Sequence, residues 1–306
     1  MTAKCNLIID SCCDLPRSVV DKPGIRLIEY PYIVGDEQYF DDLYTSITPK
    51  EFYDLMRDGV FPQTAQIPLL AIEKAWADAA RSGVPTVYLS FSSGLTGTVD
   101  QAWMLMNKVK QDYPDAELYL VDTLTASTAE AALVYAAIKE REKGLSATEM
   151  VAWAKAAGPH LNCEFMVDDL TALKKGGRIP PAAATIATKL DVKPMLTINL
   201  EGKLALCGAA RGRKKGIKQL VAYFTKRIPE GERDRTLFIG HADCPHDAEY
   251  LVGLLKKTAP GADVVVTNVG PVIGSHVGPG MISIVFFGPD RSDDDTLFGR
   301  LGKKRA

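Results

Sequence analysis

The sequence predicts an α/β protein of two domains: an N-terminal, mostly parallel doubly wound sheet, then a C-terminal α+β domain with a mixed sheet. Three observations carry this. In the first half, short β-rich runs alternate with stretches whose apolar residues recur at helical spacing, the pattern of strand–helix–strand units. Past residue 157, two neighbouring strand-like runs are joined by Leu200-Glu201-Gly202, a hairpin signal and hence an antiparallel pair. The length, 306 residues, suits about two domains of ordinary size.

The elements follow in order. Residues 5–9 read as a buried strand, 26–34 as a second, 84–91 as a third with Pro85 near its start where proline is tolerated, and 117–121 as a fourth. Leu69, Ile72, Trp76, Ala79 and Ala80 share one helix face, as do Val99, Ala102, Met106, Val109 and Tyr113. A helix over 146–155 runs into Ala156-Ala157-Gly158-Pro159, which places the domain boundary between 1–157 and 158–288. Beyond it, 161–167, 192–199 and 203–210 read as strands, Ile217 to Ile228 and Ala248 to Ala259 as helix faces, and 236–240, 263–269 and 281–287 as further strands. Residues 289–306, with Asp293-Asp294-Asp295 and Lys303-Lys304-Arg305, read as a solvated polar tail.

Composition narrows the function classes. Thirty-six Lys and Arg against 38 Asp and Glu leave a net charge of −2, which excludes a globally basic nucleic-acid binder. The most apolar run, 281–287, is far shorter than the roughly 20 residues of a membrane span. Six cysteines in a chain of this length, two of them adjacent, do not form a disulfide framework, and with no cleavage signature at the start the expected location is the cytoplasm.

The most informative stretch is Ser90-Phe91-Ser92-Ser93-Gly94-Leu95-Thr96-Gly97-Thr98, where a strand gives way to a helix at the carboxyl edge of the sheet. Hydroxyls and glycine-exposed N–H groups there suit a carboxylate or phosphate, whereas capping alone needs one such residue. The Gly-Lys-Ser/Thr ending of a phosphate-binding P-loop is missing. A second hydroxyl turn, 61–68, leaves Thr64 either capping the following helix or joining the same anion site. Asp14 reads as a helix N-cap before Leu15-Pro16, and Cys12 and Cys13, with no local base, as small packing residues. His241-Ala242-Asp243-Cys244-Pro245-His246 holds four potential metal ligands, but Asp243 capping a helix that Pro245 begins is the simpler account, so no metal is expected. Asp41-Asp42 and Asp168-Asp169 read as solvated turns and caps. Two cationic glycine loops, 174–178 and 211–216, and a histidine, His276, held in the Gly/Pro turn 274–280, offer close approach to something negative.

Taken in sequence, Asp10-Ser11, Asp14-Leu15-Pro16, Thr64-Ala65-Gln66, Ser92-Ser93-Gly94-Leu95-Thr96-Gly97-Thr98, Asp168-Asp169-Leu170, Leu173-Lys174-Lys175-Gly176-Gly177-Arg178-Ile179, Lys193-Pro194, Arg211 and Gly274-Ser275-His276-Val277-Gly278-Pro279-Gly280 resemble the DegV family over about residues 5–288. The resemblance implies a bacterial, non-catalytic lipid-binding protein with a long-chain fatty acid as its ligand, buried between two domains, and no other cofactor. It places the carboxylate at Thr64, Ser92, Ser93 and Gly94 with His276 near, and Arg178, Arg211 and His276 where a partner fatty-acid kinase would form an acyl phosphate. Two departures stand out: Cys12 and Cys13 where the family commonly has Thr or Ser, and Ala65 where Ser is common. A phosphotransferase or hydrolase working alone through His276, and a lipid-dependent regulatory sensor, remain open beside it.

Overall fold

The computed structural model describes residues 3–179 and 191–292. Strand β1 (Asn6–Asp10) ends in a 3-10 turn and a single-turn helix α1 (Arg17–Val20), followed by β2 (Ile25–Ile28). A hairpin, β3 (Pro31–Val34) and β4 (Glu37–Phe40), precedes α2 (Pro49–Arg57), β5 (Gln63–Thr64), α3 (Leu69–Ser82), β6 (Thr86–Ser90), α4 (Thr98–Asp112) and β7 (Leu118–Asp122). Helices α5 (Thr128–Glu142) and α6 (Ala147–Ala157) lead to β8 (Leu161–Met166), α7 (Thr171–Lys175), β9 (Val192–Ile198), β10 (Leu204–Arg211) and α8 (Arg213–Arg227). The described chain closes through β11 (Thr236–His241), α9 (Pro245–Thr258), β12 (Asp263–Asn268), α10 (Pro271–Val277) and β13 (Ile282–Phe287).

Among the described residues three sheets result. The first, ordered β2-β1-β6-β7, is parallel throughout. The second, ordered β10-β9-β8-β13-β11-β12, is mixed, with only β11 and β12 parallel. Both match the expected fold class. The third, β4-β3-β5, is a small antiparallel sheet the sequence did not suggest. It arises because the run read as one strand over 26–34 is two. Pro31 lacks an N–H for the central ladder, and the Tyr30 N–H turns aside to Ser11 Oγ at 3.0 Å.

Helix α5 had no apolar stripe to betray it, because both of its faces are covered. It packs on the strands β8, β11 and β13 and on the turn after β1, and Thr128, Leu133, Val134 and Ile138 are all buried. One apolar core therefore joins Ile8, Tyr88 and Trp76 to Phe165, Phe238 and Val285 across the two large sheets.

Other local expectations change with tertiary context. Asp14 is not a helix cap: it closes the 3-10 turn at φ 51° and is 3 % exposed, taking Ser127 Oγ at 2.5 Å and the Gly270 N–H at 2.9 Å. Asp41 is fully buried rather than solvated. Asp243 leaves the cap of α9 to Cys244 and pairs with Arg57 at 2.6 Å. The stretch around His276 is a helix rather than a turn, since Pro271 starts α10 and Gly278 at φ 75° stops it. The start of the tail is packed: Arg291 is buried and donates to Ile198 O at 2.6 Å, while residues 293–306 lie outside the described residues. No helix among the described residues is long and apolar enough to cross a membrane.

Candidate ligand cavity and head-group site

Between the carboxyl ends of the parallel strands, helix α10 and the inner face of the mixed sheet lies a cavity of about 480 Å³, within the range of roughly 300–1,000 Å³ usual for small-molecule sites. Phe91, Ala126, Ala129, Phe165, Leu173, Ile198, Leu204, Val272, Ile273 and Met281 make most of the wall apolar. The polar lining gathers in one region: Thr64, Gln66, Ser93, Thr96, Arg178 and His276.

Within that region Thr64 does not cap α3, whose N-cap position is Pro68. Strand β5 instead pairs Thr64 with Tyr32, and Thr64 Oγ1 meets His276 Nε2 at 2.8 Å. His276 Nδ1 is buried without a hydrogen-bond partner among the described residues. Burial, with the nearby Arg178 guanidinium, pushes the imidazole down to about 4, so it is neutral at ordinary pH. Its ring is packed closely against Gly176: a Cβ there would stand 2.1 Å from Nδ1 and 2.8 Å from Cε1. Arg178 is steadied from the same turn, donating to Gly176 O at 2.6 Å. Lys175 stacks over Phe61, three residues before Thr64, with Nζ 3.1 Å from the ring centroid.

The two glycine-rich motifs of the second half are thus in contact, and not only at His276. A Cβ on Gly280, itself at φ 83°, would lie 2.7 Å from Asp168 Oδ2 and 3.1 Å from Arg213 Nη1. Asp168 is held by Lys193 and Arg213, both at 2.8 Å, and these cations keep its carboxyl below the usual range despite partial burial. The arginine of that loop that makes these ion pairs is Arg213. Arg211, at the end of β10, is exposed and does not line the cavity.

The hydroxyl loop after β6 splits in function. Ser93 lines the cavity and its N–H is fixed by Asp122 Oδ1 at 3.1 Å. Ser92 and Gly94, also expected at the head group, are not among the residues that line the cavity. Ser92 is buried, donates to Gly202 O at 2.8 Å and accepts the Gly94 N–H at 3.1 Å. A Cβ on Gly94 would meet Glu201 O at 2.6 Å. These two residues seat the tip of the β9–β10 hairpin against the first sheet, and so close one side of the cavity. Cys12 and Cys13 are buried packing residues whose thiols burial raises well above their ordinary range. Among the described residues no group of three or more His, Cys, Asp or Glu is arranged to hold a metal. Tyr30, Phe165 and Ser283 also line the cavity; each reads in sequence as an ordinary strand residue, with no local signal to single it out.

Known proteins resemble this chain over most of its length. The model described as "Uncharacterised protein, DegV family" matches residues 4–288. A DegV domain-containing protein of Clostridium perfringens is 36% identical over 282 residues, covering 92% of this chain and 97% of its own. Among solved structures, a DegV lipid-binding protein of Thermotoga maritima superposes with a TM-score of 0.80 at 26% identity, covering 94% of this chain and 99% of that one. A DegV family protein of Thermus thermophilus, described by its fatty-acid binding, gives 0.79 at 28%, covering 94% and 100%.

Proposed function

The chain belongs to the DegV family, and from that premise we propose that it binds a long-chain fatty acid in the cavity and presents the carboxyl group to a partner kinase. The observation that carries this is the pairing of Thr64 Oγ1 with a neutral His276 at the polar end of a largely apolar cavity, with Ser93 and Arg178 beside it. Hydroxyl, imidazole and guanidinium together suit a carboxylate. The apolar wall suits a tail, whose burial is worth ~0.8 kcal/mol per CH₂.

His276 in this reading binds and orients rather than catalyses. An imidazole pushed down to about 4 is a weak base at neutral pH, which favours a carrier over a hydrolase acting alone. Arg178, steadied by Gly176 O, faces the head group, whereas exposed Arg211 is placed to meet the partner or the incoming phosphoryl group. The two-domain arrangement proposed from sequence, 1–157 and 158–288, puts Thr64 and Ser93 on the first unit and His276, Arg178 and Arg211 on the second.

Native mass spectrometry of protein purified from a bacterial host tests the first half of the proposal: about one fatty acid per chain is expected, and absence of any acyl species, with none taken up on incubation, overturns it. For the second half, Arg211→Ala should keep wild-type affinity for the acid while acyl-phosphate formation with a cognate kinase falls. Normal formation in that variant removes Arg211 from the presenting surface.

A further inference from the structure

The two residues that join β12 to α10, Val269 and Gly270, are gripped by side chains from the opposite end of the chain. Tyr44 Oη and Tyr53 Oη both donate to Val269 O, at 2.6 and 2.7 Å. The next N–H, that of Gly270, donates to Asp14 Oδ1 at 2.9 Å. Asp41 closes the grip: it accepts the Leu43 N–H at 3.2 Å and lies against the Val272 N–H in the first turn of α10. Asp14, Asp41 and Tyr53 are buried, and Tyr44 is half-buried.

Covering a turn does not call for this arrangement. Buried carboxyls and hydroxyls are costly to desolvate, and apolar contact alone would serve. The loops that carry them are also strained: Asp14, Leu43 and Tyr44 have φ of 51°, 58° and 61°, a left-handed backbone that bulky residues rarely adopt. What hydrogen bonds add is direction. His276 is six residues past Gly270, so it sits ~9 Å along a short, stiff helix that starts at this turn. A tilt of about 10° at the turn would carry it ~1.5 Å, more than its 2.8 Å bond to Thr64 Oγ1 tolerates.

We infer that Asp14, Asp41, Tyr44 and Tyr53 are positioning residues, which fix the origin and direction of α10 and so hold His276 against Thr64 at the head-group site. The inference rests on the fatty-acid reading for its effect on affinity, whereas the placing of His276 is read without any ligand. The Tyr44→Phe/Tyr53→Phe variant loses both hydroxyls and keeps both rings. It is labelled with ¹⁵N-histidine beside the wild type and titrated by NMR, the His276 signal being identified by its loss in His276→Gln. Affinity for stearic acid is measured on the same proteins. The wild-type imidazole should titrate at about 4. In the variant its titration should rise by about one pH unit or more, toward the ordinary ~6.5, as water reaches the ring. Stearic acid should then bind about tenfold more weakly. Asp14→Asn, which keeps an acceptor for the Gly270 N–H, should behave as the wild type, and Asp14→Ala as the double variant. Ile217→Val, in the core on the opposite face of the mixed sheet, should lower the melting temperature and leave both readings alone. An unmoved His276 titration in the folded double variant, or an equal shift in Ile217→Val, overturns the inference. A shifted titration with stearic acid bound as in the wild type upholds the positioning and overturns the role given to His276 in holding the acid. Tyr44→Phe alone is judged by the same criteria where the double variant does not fold.

Discussion

Replacing Gly176 by alanine should disable the head-group site without disturbing the fold. Gly176 has φ −76°, a conformation alanine adopts freely, so the change tests clearance alone. The new methyl would lie 2.1 Å from His276 Nδ1, against a floor of 3.0 Å for such contacts. The ring must therefore give by about 1 Å. It cannot slide straight across, because Nε2 on the other side already sits 2.8 Å from Thr64 Oγ1. It has to swing out of line, and a bond stretched or bent by that much is lost. A displaced His276 and Thr64 no longer present their donors to the carboxylate, and a hydrogen bond to that charged group is worth ~1.5–3 kcal/mol, so affinity for a fatty acid should fall about ten- to a hundredfold. Displacement of a fluorescent acyl probe measures the affinity, and a thermal melt alongside it should show little change. Wild-type affinity in Gly176→Ala would mean that the His276–Thr64 contact does not hold the carboxylate.

Four further outcomes are expected. Thr64→Ala with Ser93→Ala should weaken acid binding by about tenfold or more with folding intact, read by the same displacement assay; unchanged affinity in a folded double variant places the carboxylate elsewhere. Burial pushes Asp10 and Asp14 up to about 7, and raises Asp41 and Glu130 well above the carboxylate range, against the hydrogen bonds that favour the ionised forms of Asp10, Asp14 and Asp41. The folded chain thus keeps protons that the unfolded chain releases near pH 4, so stability should be full below that point and fall as pH rises to about 7, by up to ~1.4 kcal/mol per pH unit per group. Asp14→Asn should flatten part of that slope in urea melts across the window, and an unchanged slope refutes the assignment. Gly202→Ala, at φ 71° with its Cβ 2.0 Å from Ser92 Oγ, should unseat the hairpin tip and cost ~1–3 kcal/mol of stability; an unaltered melt would show the tip is not seated there. Gly253→Ala, in the interior of α9 facing open space, should instead raise stability by ~0.5–1 kcal/mol and leave acid affinity alone.

What the sequence determined by itself was whatever local periodicity or turn chemistry fixes. The parallel strands, helices α3, α4, α8 and α9, and the β9–β10 hairpin all carry apolar spacing or turn residues that point to one structure, so local and global preferences agree. It also drew attention to Thr64, Ser93, Arg178 and His276, because hydroxyls and cations beside glycines are costly to assemble for packing alone. Tertiary structure decided the rest, since the deciding partners are remote in the chain. Thr64 and His276 lie 212 positions apart, and no window of sequence shows that they touch. Ser92 and Ser93 are adjacent and chemically identical, yet one is taken by the Gly202 carbonyl 110 positions away and the other faces the cavity. Helix α5 went unrecognised because burial on both faces erases the amphipathic signal. Asp14 and Asp41 look like ordinary turn carboxylates until Gly270, from the far end of the chain, is laid against them: a Cβ there would stand 2.7 Å from Asp14 Oδ1 and 2.8 Å from Asp41 Oδ2. A side chain's chemistry is written in the sequence, but its desolvation and its partner exist only once distant segments pack.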